Sequence, residues 1–574
     1  MTGSFVTVST IAVKLKDVST RAVSIFFTIF ILSIIPLIQA CAPPQPSRQL
    51  APLAQPANTV APSLSTQTIT PLPTQTDLTP IPTVTPLRPT ATPIPIQSAT
   101  PAPCEDPALP DSHQWCYTSS VGDVFVHPIA FVTDLQRARG YLLDSGRIFS
   151  LNLDEPAAPQ VILASGAIIS DTRVLELLDI ELVNDTLLAL DRAGDVYRYQ
   201  IEEASWYLDR YDRPIRDLSS HYFVSLAADN THRYLLETSY HFGLQYQPES
   251  AERLWLVPEG HMVDLTIDDE LETFWALYRP YTATVAAISR FKDSVFINLE
   301  TEIEITRPRQ LVSHDNQLYL LDQAGKRLSQ LDQSGTVQTQ WVLSHPVSSF
   351  AVHGRQIILA GRNSLYFIDQ PENQTLISSG AFITTDQPND PQIRSRFSTI
   401  RLPIPNLPIA GRDLRLPGAP RHYRLGVHEG IDFYWGPGRE IFSVADGTIL
   451  RLTETYATPA ESTFNYWRNQ SLTQGYTPEE ALDFYRGRQI WIEHDNGLIS
   501  RYAHLSEINE DLAEGDRVSE GTFIGRVGNS GSPASQEGPA ADSHLHFELW
   551  LNRYYLGQFM RPIETRELLE TLFR

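Results

Sequence analysis

Between Cys104 and Asp369 apolar residues come in short runs that alternate with polar ones and break at Asp/Gly turns, a pattern that predicts short β-strands. Six segments look alike: Tyr141-Leu-Leu-Asp144, Leu188-Ala-Leu-Asp191, Tyr234-Leu-Leu-Glu237, Phe274-Trp-Ala-Leu277, Tyr319-Leu-Leu-Asp322 and Ile357-Ile-Leu-Ala360. Most are followed by a small turn and a second strand, and they recur every 38 to 47 residues, the period of a four-stranded propeller blade. The repeats predict a β-propeller-like domain of about six blades; seven blades or a pair of β-sandwiches are the alternatives. From Phe397 onward, Val/Ile-rich strands alternate with Gly-containing turns, and Asn496-Gly497 between two such runs is a strong hairpin signal. This part is expected to be small and antiparallel. One insertion, Glu454 to Gly487, carries Thr477-Pro-Glu-Glu-Ala-Leu-Asp-Phe-Tyr485, which predicts one short helix with Thr477 as its cap and Pro478 in its first turn.

The N-terminal pattern is different. Lys14, Lys16 and Arg21 precede an apolar run from Ala22 to Ile38 that meets Gln39-Ala40-Cys41, the charged-apolar-small order of an export signal. Residues 1–40 are therefore expected to be a signal peptide or a membrane anchor. The end of the run resembles a bacterial lipoprotein signal, which would leave Cys41 as the site of lipidation. Either reading places the remainder outside the cytoplasm, in the cell envelope. Residues 41–103 form a Pro/Thr-rich segment holding 16 of the chain's 42 Pro. Such a tract lacks the periodicity of a core and favours polyproline II, a disordered tether with a reach of about 190 Å at ~3.1 Å per residue. The expected organisation is completed by the propeller-like domain at 104–372, a Pro/Asn/Gln-rich joint at 373–396 and a C-terminal domain at 397–574.

Composition narrows the functions. With 44 Lys and Arg against 67 Asp and Glu in 574 residues, the net charge of −23 argues against nucleic acid, whose phosphates need a basic face. Most of the acidic excess lies on the propeller-like region, because residues from Arg401 onward hold 24 acidic and 17 basic side chains. That surface could serve an unknown protein or glycan ligand. Three Cys exclude a disulfide-dense scaffold or a four-Cys zinc site. With Cys41 assigned to lipid, Cys104 and Cys116 are most simply a local disulfide in an exported chain, two free thiols being the alternative. His221, His232 and His241 form the nearest propeller cluster and read as turn or blade-edge residues.

Candidate chemistry is confined to the last third. His428 and Asp432 occur in H-E-G-I-D, His504 in R-Y-A-H-L, and His544 and His546 in S-H-L-H-F-E. Side chains at i and i+2 of a strand share a face, so His544 and His546 can enter one cleft. Imidazole and carboxylate suit Zn²⁺, whose catalytic sites keep three protein ligands; five candidates leave two imidazoles over for proton transfer or for steadying an oxyanion. Glu548 shares the face of His546 and is either a partner of that ring or an ordinary strand carboxylate. His422 and His494 are expected at the surface. Gly525, Gly528 and Gly531 follow a strand without opening a helix and so lack the context of a phosphate loop.

The ordered set resembles the lysostaphin/LytM-type zinc metalloendopeptidases of peptidoglycan, and the likeness extends to G-I-D-F after His428, A-D-G-T-I around Asp446, the I-E-H-D-N-G hairpin and G-D-R-V-x-x-G-x-x-I-G. It covers roughly Phe397 to Arg574. The resemblance implies the small antiparallel fold called the duplicated hybrid motif, one Zn²⁺ per chain held by His428, Asp432 and His546, and His504 and His544 as the flanking catalytic imidazoles. It implies hydrolysis of stem or cross-bridge peptide bonds by metal-activated water. The rivals are a non-catalytic regulator of other wall hydrolases, and a propeller-based adhesion protein with an accessory peptidase.

Overall fold

The computed structural model describes residues 100–103, 112–118 and, with short gaps, 125–369 and 399–573. The export segment, Cys41, most of the tether, Cys104 and the joint at 373–396 lie outside the described residues; Cys116 falls on a strand, Ser112–Thr118.

The described residues of 128–369 form six antiparallel blade sheets in chain order, with a two-stranded sheet of Ile168–Ile169 and Thr172–Arg173 between the first two. Their first strands are Pro128–Asp134, Leu177–Val183, Phe223–Ala228, His261–Asp268, Gln310–His314 and Ser349–His353. Each packs beside the next, and the sixth packs beside the first, so the sheets close into a six-bladed propeller. Five blades are four-stranded, and the sixth takes two strands from the N-terminal side: Ser112–Thr118 pairs with Ser364–Asp369, and Thr100–Pro103 pairs with Ser112–Thr118.

The six look-alike segments all fall on the second strand of a blade. That strand is covered on both faces, so it reads as a continuous apolar run rather than an alternating one; in Tyr141–Asp144, for example, every residue is buried. The terminal acid of the repeat is a latch. Asp144, Asp191, Glu237 and Asp322 are fully buried. Each accepts a backbone N–H from the segment leading into its blade, from His127 at 2.5 Å, Leu175 at 2.9 Å, Tyr222 at 2.8 Å and Thr306 at 3.1 Å respectively. Neighbouring blades are stitched in the same way, Asp179 taking the Leu226 N–H and Asp264 the Leu311 N–H, both at 2.8 Å. Part of the acidic excess is thus internal, and burial carries the Asp179 carboxyl up to about 7.

The C-terminal domain is built on a seven-stranded antiparallel sheet whose path runs Ile431–Tyr434, His544–Leu551, Leu498–Ala503, Gln489–His494, Gly447–Thr453 and Arg517–Val518, with Tyr554–Tyr555 paired to the side. A three-stranded sheet of Glu440–Phe442, Phe523–Val527 and Leu505–Ile508 completes it. Their shared core includes Ile431, Ile490, Tyr502, Leu545 and Phe547.

The insertion differs from expectation. It holds two helices, α1 (Glu461–Gln474) and α2 (Glu479–Arg486). Thr477 does not cap α2, because its hydroxyl donates to the Arg424 carbonyl at 2.6 Å; Pro478 is the N-cap instead. The two helices meet through Phe464, Ala481 and Tyr485. A third helix, α3 (Pro562–Leu572), ends the chain.

Propeller and C-terminal domain belong to one compact unit. Ile563 of α3 sits in the core cluster of blades four and five with Trp275 and Leu318. Around it, Glu564 pairs with Arg309 at 3.1 Å and His127 at 3.2 Å, Glu567 pairs with Arg309 at 2.9 Å, and Arg566 pairs with Asp413 at 2.7 Å. The buried arginines and His127 hold the Glu564 carboxyl well below its usual range despite desolvation.

Candidate metal centre

Strand register assembles the site. Ile431–Tyr434 runs antiparallel to His544–Leu551 with Asp432 opposite His546 and Tyr434 opposite His544, and Ala503 lies opposite His546 on the other side. His428 precedes the first of these strands, and its backbone is clamped in both directions: Gly418 N–H donates to His428 O and His428 N–H to Ala419 O, each at 2.7 Å. Gly430 in H-E-G-I-D is there for space, since a Cβ would collide with the Phe547 carbonyl and the His546 ring. The turn can therefore bring His428 down onto the sheet.

Three ligand-type atoms converge. His428 Nε2 lies 2.8 Å from Asp432 Oδ1 and 3.0 Å from His546 Nδ1, and His546 Nδ1 lies 3.0 Å from Asp432 Oδ1. All three residues are buried. The far atom of each is already committed. His428 Nδ1 bonds the Leu416 carbonyl at 3.0 Å, His546 Nε2 bonds Glu548 Oε1 at 3.0 Å, and Asp432 Oδ2 accepts from Arg421 at 3.0 Å. Each partner thus turns one lone pair toward a common point. Two imidazole nitrogens and a carboxylate oxygen facing one another out of water need a proton or a cation between them. Tetrahedral ligands with bonds of ~2.0–2.1 Å sit about 3.3 Å apart, so the set fits a small divalent ion after a slight spreading.

Electrostatics carry the same message. Burial, and then the neighbouring Arg421, push His428 down to about 4, so this ring is neutral. Burial would also lower His546, but its bonds to Asp432 and Glu548 carry it up to about 9. Without a cation, His546 keeps the proton for which a metal would compete. Desolvation of Asp432 is outweighed by His428 and His544, which hold its carboxyl well below the usual range.

His504 and His544 flank the triad. Each has Nδ1 tied to a backbone carbonyl, His504 to Ser530 at 2.7 Å and His544 to Asp542 at 2.6 Å. That leaves Nε2 of each ring as the nitrogen not tied to the backbone; His544 Nε2 lies 3.6 Å from Asp432 Oδ1. The His504 ring stands 4.8 Å from His544 and 5.6 Å from His546. His504 occupies the left-handed region at φ 62°, between the strands Leu498–Ala503 and Leu505–Ile508, a strained placement that sets its ring beside His544 and His546. Burial, and then His544 and His546, keep His504 well below the ordinary imidazole range. The glycine-spaced loop after Phe523–Val527 supports this ring through the Ser530 carbonyl.

Glu548 resolves as the partner of His546. It is itself fixed by Arg486 at 2.7 Å, by Arg501 at 3.4 Å and by the Trp550 indole at 2.5 Å. Its shared face with His546 was the visible signal. Arg421 and the Leu416 carbonyl had none. Two histidines depart from the surface positions expected of them. His494 is buried, bonding the Asp446 carbonyl at 2.8 Å and the Ser500 hydroxyl at 2.9 Å, and His422 is half-buried, its Nε2 bonding the His221 carbonyl of the propeller at 3.2 Å.

The sheets carry this His-Asp-His cluster with two flanking imidazoles, the arrangement that the resemblance to the lysostaphin/LytM type implies, and the comparisons bear out that likeness for the C-terminal domain. Residues 426–557 match Peptidase family M23. The chain is 29% identical over 142 residues to an uncharacterized metalloprotease of Buchnera aphidicola subsp. Baizongia pistaciae, covering 25% of this chain and 27% of that protein. It is 29% identical over 126 residues to the peptidoglycan DD-endopeptidase ShyA of Vibrio cholerae, covering 22% of this chain and 21% of that protein. The chain thus spans about a quarter of the length of these curated relatives. Among solved structures, a gluconolactonase from Xanthomonas campestris aligns with a TM-score of 0.36 at 12% identity, over 48% of this chain and 99% of that one.

Proposed function

We propose that this protein is a zinc metalloendopeptidase that cuts peptide bonds in peptidoglycan, with Zn²⁺ held by His428, Asp432 and His546. The observation that carries the reading is the convergence of three lone pairs whose other atoms are each pinned. The match to a peptidase family and the named activity of the Vibrio relative support the substrate class. A bound Zn²⁺ would acidify a water and polarise a carbonyl. The chain's own residues supply the proton traffic: His504 and His544, oriented by carbonyls at Nδ1, present Nε2 to accept a proton from the attacking water, to donate one to the leaving amine, or to hydrogen-bond the developing oxyanion.

Incubating purified sacculi with the zinc-loaded chain should release new amino termini, and a strong chelator or His546→Ala should stop this. His504→Ala should keep one zinc per chain while lowering turnover by roughly 10²–10⁴-fold. Absence of any released amine from wild type with zinc present would exclude the enzymatic reading and favour a regulatory one. We also propose attachment to the cell envelope through a lipid on Cys41; an acylated Cys41→Ser variant, detected by mass spectrometry, would overturn it.

A further inference from the structure

The segment Arg412–Arg424 runs between propeller and metal centre and has no core of its own. Its regular structure amounts to two three-residue 3-10 turns and a two-residue strand. Of its buried apolar residues, Leu416 belongs to the core of the C-terminal domain and Ala419 to a cluster of propeller residues that includes Tyr234 and Met262. The conformation of this strap is therefore set from outside, from two sides at once.

On the propeller side, the buried Asp413 carboxylate accepts from the Thr238 hydroxyl at 2.9 Å and meets His261 Nδ1 at 3.0 Å. Arg192, fully buried in blade two with Nε 3.0 Å from Glu176, reaches across with both remaining nitrogens. Nη1 donates to the Gly418 carbonyl at 3.0 Å and Nη2 to the Met560 carbonyl at 2.5 Å. Gly418 lies at φ 87°, and a Cβ there would collide with that guanidinium, so the contact is as close as a backbone allows.

On the other side the same strap delivers the contacts that orient His428 and Asp432 and that back the ring stacked on His544. Leu416 O fixes the His428 ring, and Gly418 and Ala419 clamp its backbone. Arg421, steadied by the Leu414 carbonyl at 3.0 Å, holds the distal oxygen of Asp432. Arg415 lies 3.7 Å over the Tyr434 ring, which stacks on His544 at 4.7 Å.

We infer that the propeller is a working part of the metal centre: through the Arg412–Arg424 strap it sets the positions of His428, Asp432 and His544, with Arg192 and Thr238 as positioning residues. The inference rests on the reading of His428, Asp432 and His546 as metal ligands. Ligand atoms need placing to within ~0.5 Å, and groups that orient ligands commonly change metal affinity 10–100-fold when lost. A strap without its own core transmits any slackening of its outer contacts directly to them.

The test uses the full chain with two substitutions on the propeller. Thr238→Val removes the donor to Asp413 and keeps its shape. Arg192→Lys keeps a cation beside Glu176 but cannot fork onto two carbonyls. Gln338→Ala, on an outer strand of blade five, is the control. Zinc affinity is read by competition with a chromophoric chelator, coordination by the visible spectrum after Co²⁺ loading, and folding by circular dichroism. Both variants should fold, bind zinc roughly tenfold or more weakly and show a shifted Co²⁺ spectrum, with the control unchanged. If Arg192→Lys fails to fold, Thr238→Val carries the test alone. Folded variants with wild-type zinc affinity and spectrum, in a protein whose His428→Ala form loses zinc, would overturn this inference and leave the metal assignment standing. Undiminished zinc binding by His428→Ala would overturn the assignment itself, and the inference with it.

Discussion

His546 is held at both ring nitrogens, and the two holds differ in kind. Nδ1 faces Asp432 and His428, where a proton and a cation compete, while Nε2 leans on a carboxylate neutralised by Arg486 and Arg501. Glu548→Gln keeps an acceptor for Nε2 but strips the charge, so zinc affinity should fall about 10–100-fold in chelator competition. The same change leaves two buried guanidinium groups short of a counter-charge, at a cost of roughly 3–5 kcal/mol read by denaturant unfolding. At this scale legibility followed distance along the chain. The i, i+2 spacing of His544, His546 and Glu548 was visible because one strand displays all three. The hold on Asp432 comes from Arg421 and that on His428 from a backbone carbonyl, and neither leaves a mark in residue spacing.

Among the elements, strands were readable wherever burial was simple. The second strand of each blade is covered on both sides and reads as an unbroken apolar run. α1 was missed because only Phe464 and Ser471 of its residues are buried and Ala460 offers no capping side chain. α3 was missed for the opposite reason: nearly all of it is buried, the charged Glu564, Arg566 and Glu567 included, so no broad polar stripe marks an outer face. Its Glu564 and Glu567 are buried because the propeller supplies their counter-ions, and Arg566 because Asp413 of the strap supplies its own. The turn between His428 and Asp432 is the element most exposed to steric change. Gly430→Ala should force this turn off the Phe547 carbonyl, lowering stability by about 1–3 kcal/mol in denaturant titration. It should also cost zinc, because His428 moves with the turn.

For the whole molecule, the junction of the two domains is where pH should act. Asp413 is desolvated, yet Arg566 and His261 hold its carboxyl far below the usual range. A depressed folded-state pKa contributes stability above the unfolded value of ~4 and loses it as pH falls toward the folded value. Asp413→Asn should therefore melt lower than wild type near neutrality, and the gap should narrow as pH is taken from 6 to 3. A gap independent of pH would remove the charge of Asp413 from the account. Sequence periodicity could predict two kinds of β-domain but not their fusion through buried ion pairs, because each charge looks solvated until its partner from the other domain is in place.

The sixth blade is closed by residues from both ends of the propeller, Ser112–Thr118 against Ser364–Asp369, about 250 positions apart. A protease that nicks a blade loop leaves the ring shut, since every sheet keeps its strands. Trimming from the N-terminus as far as Ser112 strips only the outermost strand of that blade, Thr100–Pro103. A cut beyond Thr118 takes away the last sheet's partner and leaves an open strand edge. A cut ahead of Thr100 therefore leaves every strand of the ring in place, whereas a cut beyond Thr118 leaves a ring with its clasp undone.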